Sequence, residues 1–223
     1  MTAVDPPDPV DDPGGLSDRR PDETPDNESS KGALRRRFRA FRESVTMDAW
    51  GHWNEQILYR IWLIPELLSA QTVHVYYPMV ERREVDTRGI IGRCLEEGKR
   101  VVLPVVGRPG SGDEVAARML HVEYETKTPL LPNRWGVLEP AAGAAVAPDT
   151  IDVAIVPAIA VDHAGVRLGY GRGYYDRFLA STRARSICPA FEATIVTELP
   201  RDPWDVAVDI VVTESRIWRR ADL

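Results

Sequence analysis

Three glycines at alternate positions, Gly169, Gly171 and Gly173, set the strongest constraint on how this chain can fold. They belong to a segment, residues 152–179, that begins with the apolar run Val153 to Ala160, broken only by Pro157. A Val- and Ile-rich run of that length predicts a buried strand. Asp162-His163-Ala164-Gly165 reads as a turn, and Tyr174 to Leu179 as the first turns of a helix. A strand feeding a glycine loop that opens a helix is a phosphate-binding arrangement. Glycines let backbone N–H groups approach an anion, and the helix N-terminus adds a partial positive charge. Arg167 and Arg172 flank the loop, and guanidinium forks match phosphate oxygens. Asp176 stands where a carboxylate can hold Mg²⁺ beside a bound triphosphate. The spacing is neither G-x-G-x-x-G nor the Walker A pattern. Pattern alone therefore leaves two readings open, a phosphate cradle and a glycine-rich turn with a solvated charged rim.

The rest of the chain bounds the function class. A length of 223 residues with 43% hydrophobic residues and six Trp is globular and can bury a sizeable core. A net charge of −6 argues against a nucleic-acid protein with a broad basic surface, while leaving room for a local basic pocket. Cys94 and Cys188 have no metal-ligand spacing; one disulfide between them is open, and reduced thiols in a cytoplasmic protein are the simpler reading. No apolar run is long enough to span a bilayer, and no secretory signal is visible at the N-terminus. We expect neither a membrane nor a nucleic-acid partner, and no protein partner is called for.

Residues 1–30 are acidic and Pro-rich with almost no large apolar residues, and read as a disordered tail. Residues 31–223 read as a single domain. Ser30 is placed to cap a helix beginning Lys31-Gly32-Ala33-Leu34-Arg35, with Leu34, Phe38, Phe41 and Val45 on one face and arginines, Arg42 among them, on the others. Lys31 and Arg35, one turn apart, can face one anion. A second helix is expected over 47–68, with Leu68 on its apolar side, and strands over 72–77, 101–106, 115–124, 186–191 and 205–213, with a turn-rich loop at 107–113. A further helix carries Ile90, Ile91, Cys94 and Leu95 and ends at Gly98. Strands alternating with helical segments predict a three-layer α/β domain with a mostly parallel sheet. Ligands gather at the carboxyl ends of such strands, where Glu84, the 162–176 segment and the 191–205 loop can converge.

Four motifs in order, KGALR at 31–35, EVDT at 84–87, RWGVLEP at 134–140 and RLGYGRGYYDRFL at 167–179, with LPRDPWDVAVDIVVTE at 199–214, resemble the 5-formyltetrahydrofolate cyclo-ligase (methenyltetrahydrofolate synthetase) family. The resemblance runs from about Lys31 to Thr213. It implies an α/β/α sandwich and a ligase that joins 5-formyltetrahydrofolate and ATP to give 5,10-methenyltetrahydrofolate, ADP and phosphate with Mg²⁺. It implies that Lys31 and Arg35 hold ATP phosphates, and that Arg167, Leu168, Gly169, Tyr170, Gly171, Arg172, Gly173, Tyr174 and Tyr175 wrap the triphosphate. Asp176 and Asp205 then serve the metal. Glu84, Trp135, Tyr170 and Tyr174 position the folate, with Tyr77 in the same pocket, and Glu84, Arg167 and Tyr174 carry the catalytic work.

Those residue types suit that chemistry. A formamide oxygen is a poor leaving group and needs phosphorylation before the N10 amine attacks. Phosphoryl transfer needs positioning and charge neutralisation, which Arg, Lys, Mg²⁺ and backbone N–H groups supply. A flat pterin suits an aromatic wall. No Ser-His-Asp or Cys-His set is present, and none is required. The chain departs from the family's usual pattern in a longer loop before Glu84, where Glu81 competes as the carboxylate. It also has Val161, Arg172 and Thr194 where Phe, Lys and Gln are common. The other function compatible with these residues is a nucleotide-binding paralogue with altered or lost folate chemistry.

Overall fold

The computed structural model describes residues 30–106 and 119–220. The acidic segment 1–29, the loop 107–113 and the first part of the 115–124 strand lie outside the described residues. Among the described residues the strands are β1 (Thr72–Val75), β2 (Arg100–Val105), β3 (Leu120–Glu123), β4 (Leu130–Pro132), β5 (Leu138–Pro140), β6 (Val153–Ile155), β7 (Ala160–Asp162), β8 (Arg167–Leu168), β9 (Arg185–Pro189), β10 (Ile195–Val196), β11 (Ile210–Val212) and β12 (Ile217–Arg219). The helices are α1 (Lys31–Ser44), α2 (Met47–Ile61), α3 (Pro65–Ser69), α4 (Arg88–Glu96) and α5 (Tyr174–Ser181).

Seven strands form one sheet in the order β12-β11-β9-β6-β1-β2-β3. The five central strands pair in parallel, and the two edge strands are antiparallel. Side chains alternate across the sheet, and the two faces bury against different layers. Val73, Val75, Val101, Leu103, Val153, Ile155, Ile187 and Ile210 share a core with Ile57 and Ile61 of α2, Leu67 of α3 and Ile90 and Ile91 of α4. Val102, Ala154, Cys188 and Val211 point the other way, onto Phe178 and Leu179 of α5. This is the three-layer α/β/α arrangement with a mostly parallel sheet. Cys94 and Cys188 are both free and buried. No helix among the described residues is long and apolar enough to cross a membrane.

Local chemistry explains where the chain bends. Ser30 caps α1, its Oγ accepting from the Ala33 amide at 3.2 Å, and Thr46 caps α2 in the same way at 3.3 Å. The expected helix over 47–68 is two helices. Pro65 lacks an N–H and forces Ile64 into an extended conformation (φ −86°, ψ 113°), so α2 ends and Pro65 starts α3. The break also rotates the apolar face: Leu67 is buried and Leu68 exposed, the reverse of an unbroken helix.

The run 153–160 is likewise two strands rather than one. β6 belongs to the large sheet. After Pro157 the chain leaves it, and the Ile159 amide donates to the Leu168 carbonyl at 2.7 Å. β7 and β8 form a hairpin around Asp162–Val166, and β10 joins β7 in a separate three-stranded sheet. Phe38 of α1 packs onto this sheet against Ile159, Ala160, Val166 and Leu168. Only residues 210–212 of the expected 205–213 strand are extended in the sheet. Asp205 closes a turn instead, its amide donating to the Asp202 carbonyl at 3.0 Å and its carboxylate accepting from the Asp202 amide at 2.8 Å.

Candidate active site

The parallel strands set the site. From β1 the sheet grows one way to β2 and the other way to β6, β9 and β11, so a crevice opens beyond the carboxyl ends of β1 and β6. A cleft of about 420 Å³ lies there. Tyr76 and Tyr77 leave β1 into it and Pro157 follows β6. The glycine segment, the start of α1, the β4–β5 turn and the 202–205 turn close its sides. Every residue singled out from the sequence lines this one cleft: Lys31, Arg35, Tyr77, Glu84, Trp135, Arg167 to Tyr175, Asp176 and Asp205. Leu168 is buried in the small-sheet core, so what it offers the cleft is backbone.

The glycine loop is held from both ends. The Arg35 Nε donates to the Gly169 carbonyl at 2.8 Å, tying α1 to the loop across 134 residues. Gly171 takes φ 90°, and a Cβ there would lie 3.3 Å from the Arg35 Cζ. Gly173 caps α5 with φ 65°, where a Cβ would meet the Arg177 guanidinium at 3.0 Å. Both left-handed conformations call for glycine. The loop thus presents bare backbone at the N-terminus of an eight-residue helix, the geometry of an anion site. Arg35 is held below the ordinary guanidinium range, first by burial and then by the charge of Arg39.

Three ion pairs stand at the floor. The Arg167 side chain is 4% exposed, and its Nη2 donates to Asp176 Oδ1 at 2.8 Å. Its Cζ lies 5.7 Å from the centre of the Tyr175 ring, and the buried Tyr175 hydroxyl has no hydrogen-bond partner among the described residues. The Lys31 Nζ reaches Asp202 at 2.6 Å and Asp205 at 2.5 Å. Burial works against the Lys31 charge, but the two carboxylates outweigh it and raise its pKa. Burial also works against Asp205, and Lys31 together with the Asp202 amide more than offsets that, lowering its pKa. The Val206 amide donates to Asp176 Oδ1 at 3.3 Å, so the two aspartates named as metal ligands share one corner. Their hydrogen bonds fall on Oδ1 of Asp176 and Oδ2 of Asp205. Two hard oxygen donors suit an ion that completes its shell with phosphate oxygens and water. No cluster of three or more metal-type side chains occurs among the described residues.

Across the cleft lies the carboxylate. A single 3₁₀ turn, Val80–Arg82, and a left-handed Arg83 (φ 50°) fold the loop back on itself. The Met79 amide donates to Glu84 Oε2 at 2.8 Å, and the Tyr170 hydroxyl donates to Oε1. Glu84 is 4% exposed, whereas Glu81 is on the surface, so the carboxylate facing the cleft is Glu84. Burial pushes its carboxyl above the usual range, against the pull of those donors and of Arg42 and Arg82.

Trp135 is half-buried and edge-on to Tyr174, with ring centres 6.5 Å apart. The Arg134 and Arg172 guanidinium carbons lie 4.1 and 5.6 Å from the Trp135 ring centre. Asn133 shapes this turn by accepting from the Trp135 and Val137 amides at 2.9 and 3.1 Å and donating to Glu139 at 2.7 Å.

Sequence reasoning missed Asp202, Arg39, Arg42, Arg82 and Glu139. Asp202 lies within the 199–214 motif, but the resemblance singles out Asp205 alone there as a site carboxylate. Arg42 did carry a signal: four residues beyond Phe38, it shares the buried face of α1 rather than the solvated one, and it is 3% exposed.

Comparison with known proteins bears on the family and the fold. The sequence pattern of the 5-formyltetrahydrofolate cyclo-ligase family matches residues 27–214. The 5-formyltetrahydrofolate cyclo-ligase of Escherichia coli K12 is 33% identical over 186 residues, covering 81% of this chain and 98% of the relative. That of Mycolicibacterium smegmatis is 35% identical over 162 residues, covering 70% and 80%. The solved structure of Aquifex aeolicus 5,10-methenyltetrahydrofolate synthetase is similar, with a TM-score of 0.75 and 29% identity. It covers 86% of this chain and 94% of that one. The Mycoplasma pneumoniae 5,10-methenyltetrahydrofolate synthetase, at 22% identity and a TM-score of 0.65, shares the fold.

Proposed function

The chain belongs to the 5-formyltetrahydrofolate cyclo-ligase family, and from that premise we propose that it converts 5-formyltetrahydrofolate and ATP to 5,10-methenyltetrahydrofolate, ADP and phosphate. The observation that carries the reading is one cleft with a bare glycine backbone on one side and a buried carboxylate, Glu84, on the other. Tyr170 joins the two.

The phosphates of ATP lie on the Gly169–Gly173 backbone at the start of α5, with Lys31, Arg35, Arg167 and Arg172 around them. Lys31 is matched by Asp202 and Asp205, and Arg167 by Asp176. Bound nucleotide gives Lys31 a phosphate in place of a carboxylate, and this frees Asp205. Asp176 and Asp205 are the residues that would hold Mg²⁺, and the bound ion neutralises phosphate charge. The pterin lies against Trp135, Tyr174 and Tyr77.

The formyl oxygen attacks the γ-phosphorus and ADP leaves, so the formyl carbon carries a phosphate ester and an electron-poor C=N bond. N10 then attacks that carbon. Its proton passes to Glu84, and phosphate departs with the electrons of the C–O bond. No covalent bond to the protein forms. What the chain supplies is alignment and charge stabilisation, the terms that dominate phosphoryl transfer. We assign this chemistry to one catalytic domain, residues 31–223, working in the cytoplasm, where the free, buried thiols of Cys94 and Cys188 stay reduced.

Purified protein mixed with ATP, Mg²⁺ and 5-formyltetrahydrofolate tests the reading. Growth of the methenyl product's near-ultraviolet absorbance, dependent on ATP, supports it. ATP binding without product would leave a nucleotide-binding paralogue instead.

A further inference from the structure

Arg42 lies on α1, outside the lining of the cleft, and is 3% exposed. A buried guanidinium is costly unless its charge is compensated. Among the described residues Arg42 makes no direct ion pair, and its Nε has no acceptor. Its Nη2 donates to the Tyr170 hydroxyl at 3.1 Å, and that hydroxyl donates in turn to Glu84. Arginine has donors only, so the Tyr170 proton has one direction to point, toward the carboxylate. The result is a fixed chain of cation, hydroxyl and carboxylate running from the back of α1 into the cleft.

We infer that Arg42 is a positioning residue that, through Tyr170, keeps Glu84 ionised and oriented toward the substrate. The inference rests on Glu84 being the acceptor of the N10 proton, as proposed above.

The groups around Glu84 are few. Arg82 faces it from its own loop, Tyr76 from beyond β1, Tyr170 and Tyr175 from the glycine segment and α5, and Arg42 from α1. The three tyrosines are raised above the ordinary phenol range, in each case by burial first, and stay neutral; of the three, Tyr170 donates to Glu84 and Tyr76 to the Val85 carbonyl. Met79 contributes an amide. The compensating positive charge therefore comes from Arg42 and Arg82. Arg82 is exposed and screened by water, whereas Arg42 is buried, where the same charge acts more strongly.

Two substitutions separate charge from packing. Arg42→Gln keeps a donor and loses the charge; Arg42→Lys keeps the charge. The readouts are the acidic limb of the pH–rate profile and the titration midpoint of Glu84, followed by ¹³C NMR of labelled glutamate carboxyls with Glu84→Gln assigning the signal. We expect Arg42→Gln to move both upward by about one pH unit, and Arg42→Lys to hold both near wild type. Tyr170→Phe, which cuts the bridge without touching α1, serves if Arg42→Gln fails to fold, and is expected to raise the midpoint similarly. A folded Arg42→Gln protein with an unmoved Glu84 midpoint overturns the inference, as does an upward shift of equal size in Arg42→Lys. The NMR midpoint does not depend on turnover. A wild-type protein that forms no methenyl product therefore contradicts the proposed reaction separately.

Discussion

Lys31 and Asp205 stand 174 residues apart in the chain and meet with 2.5 Å between Nζ and Oδ2, with Asp202 completing the group. This contact pins the first turn of α1 to the turn that precedes β11, and so closes one side of the cleft. The two carboxylates offset the Lys31 charge.

Removing the cation separates its two roles. Lys31→Met is expected to raise the KM for ATP about tenfold or more, the scale of one lost charge-assisted hydrogen bond. The KM for the folate should change less than twofold. Steady-state kinetics with each substrate varied in turn checks this. Equal changes in both constants would place Lys31 away from the nucleotide.

The Arg167–Asp176 pair is less tolerant. Arg167→Ala and Asp176→Asn are each expected to lower kcat/KM at least about a hundredfold, since each removes a charge from the phosphate corner. Asp176→Asn keeps a hydrogen-bond acceptor for Arg167 and should keep its circular dichroism. Asp176→Ala strands a guanidinium that is 4% exposed and should melt several degrees lower. Full activity in any of the three argues against phosphates on this loop.

Trp135 and Tyr174 form the aromatic corner proposed for the pterin, edge-on with ring centres 6.5 Å apart. Trp135→Ala is expected to raise the folate KM about tenfold, with Trp135→Phe recovering most of it, because stacking area is what is lost. The ATP KM should stay within twofold. Isothermal titration with the folate alone gives the same comparison without turnover.

Much of this was legible in the sequence because the signals are local. The Ser30 cap, the glycines at 169, 171 and 173 and the alternating strand faces each follow from a few adjacent residues. The α/β/α layering follows from strands and helices in alternation. What the sequence hid depends on distant partners. Nothing near Lys31 names Asp202. Nothing in 153–160 except Pro157 shows that its second half pairs with β8 in another sheet. Pro65 did mark the break in the second helix, and weighing it above the apolar periodicity would have corrected both the boundary and Leu68. Edge strand β12 is short and follows a tight turn, so its pairing with β11 lies beyond periodicity.

Acid should weaken the fold from an unexpected place. His74 is fully buried, neither ring nitrogen has a hydrogen-bond partner among the described residues, and its ring centre lies 5.1 Å from that of His121. Phe178 packs against both rings. Burial, followed by the charge of His121, holds His74 well below the ordinary imidazole range, and burial brings His121 down to about 4. Unfolded imidazoles take up a proton near pH 6.5. Between that pH and about 4 the unfolded chain binds more protons than the folded one, so stability is complete above the window and falls as pH drops through it. Each imidazole contributes at most about 1.4 kcal/mol per pH unit. Tm measured from pH 7 to pH 4.5 should fall less steeply in His121→Leu than in the wild type. Parallel slopes would remove the pair from the account.

The most direct measurement is a crystal structure with a non-hydrolysable ATP analogue and 5-formyltetrahydrofolate bound. The account requires the terminal phosphates on the backbone of Gly169–Gly173 within reach of Lys31 and Arg167, and N10 of the folate facing Glu84. Phosphates elsewhere, or a folate whose N10 points away from Glu84, would contradict it.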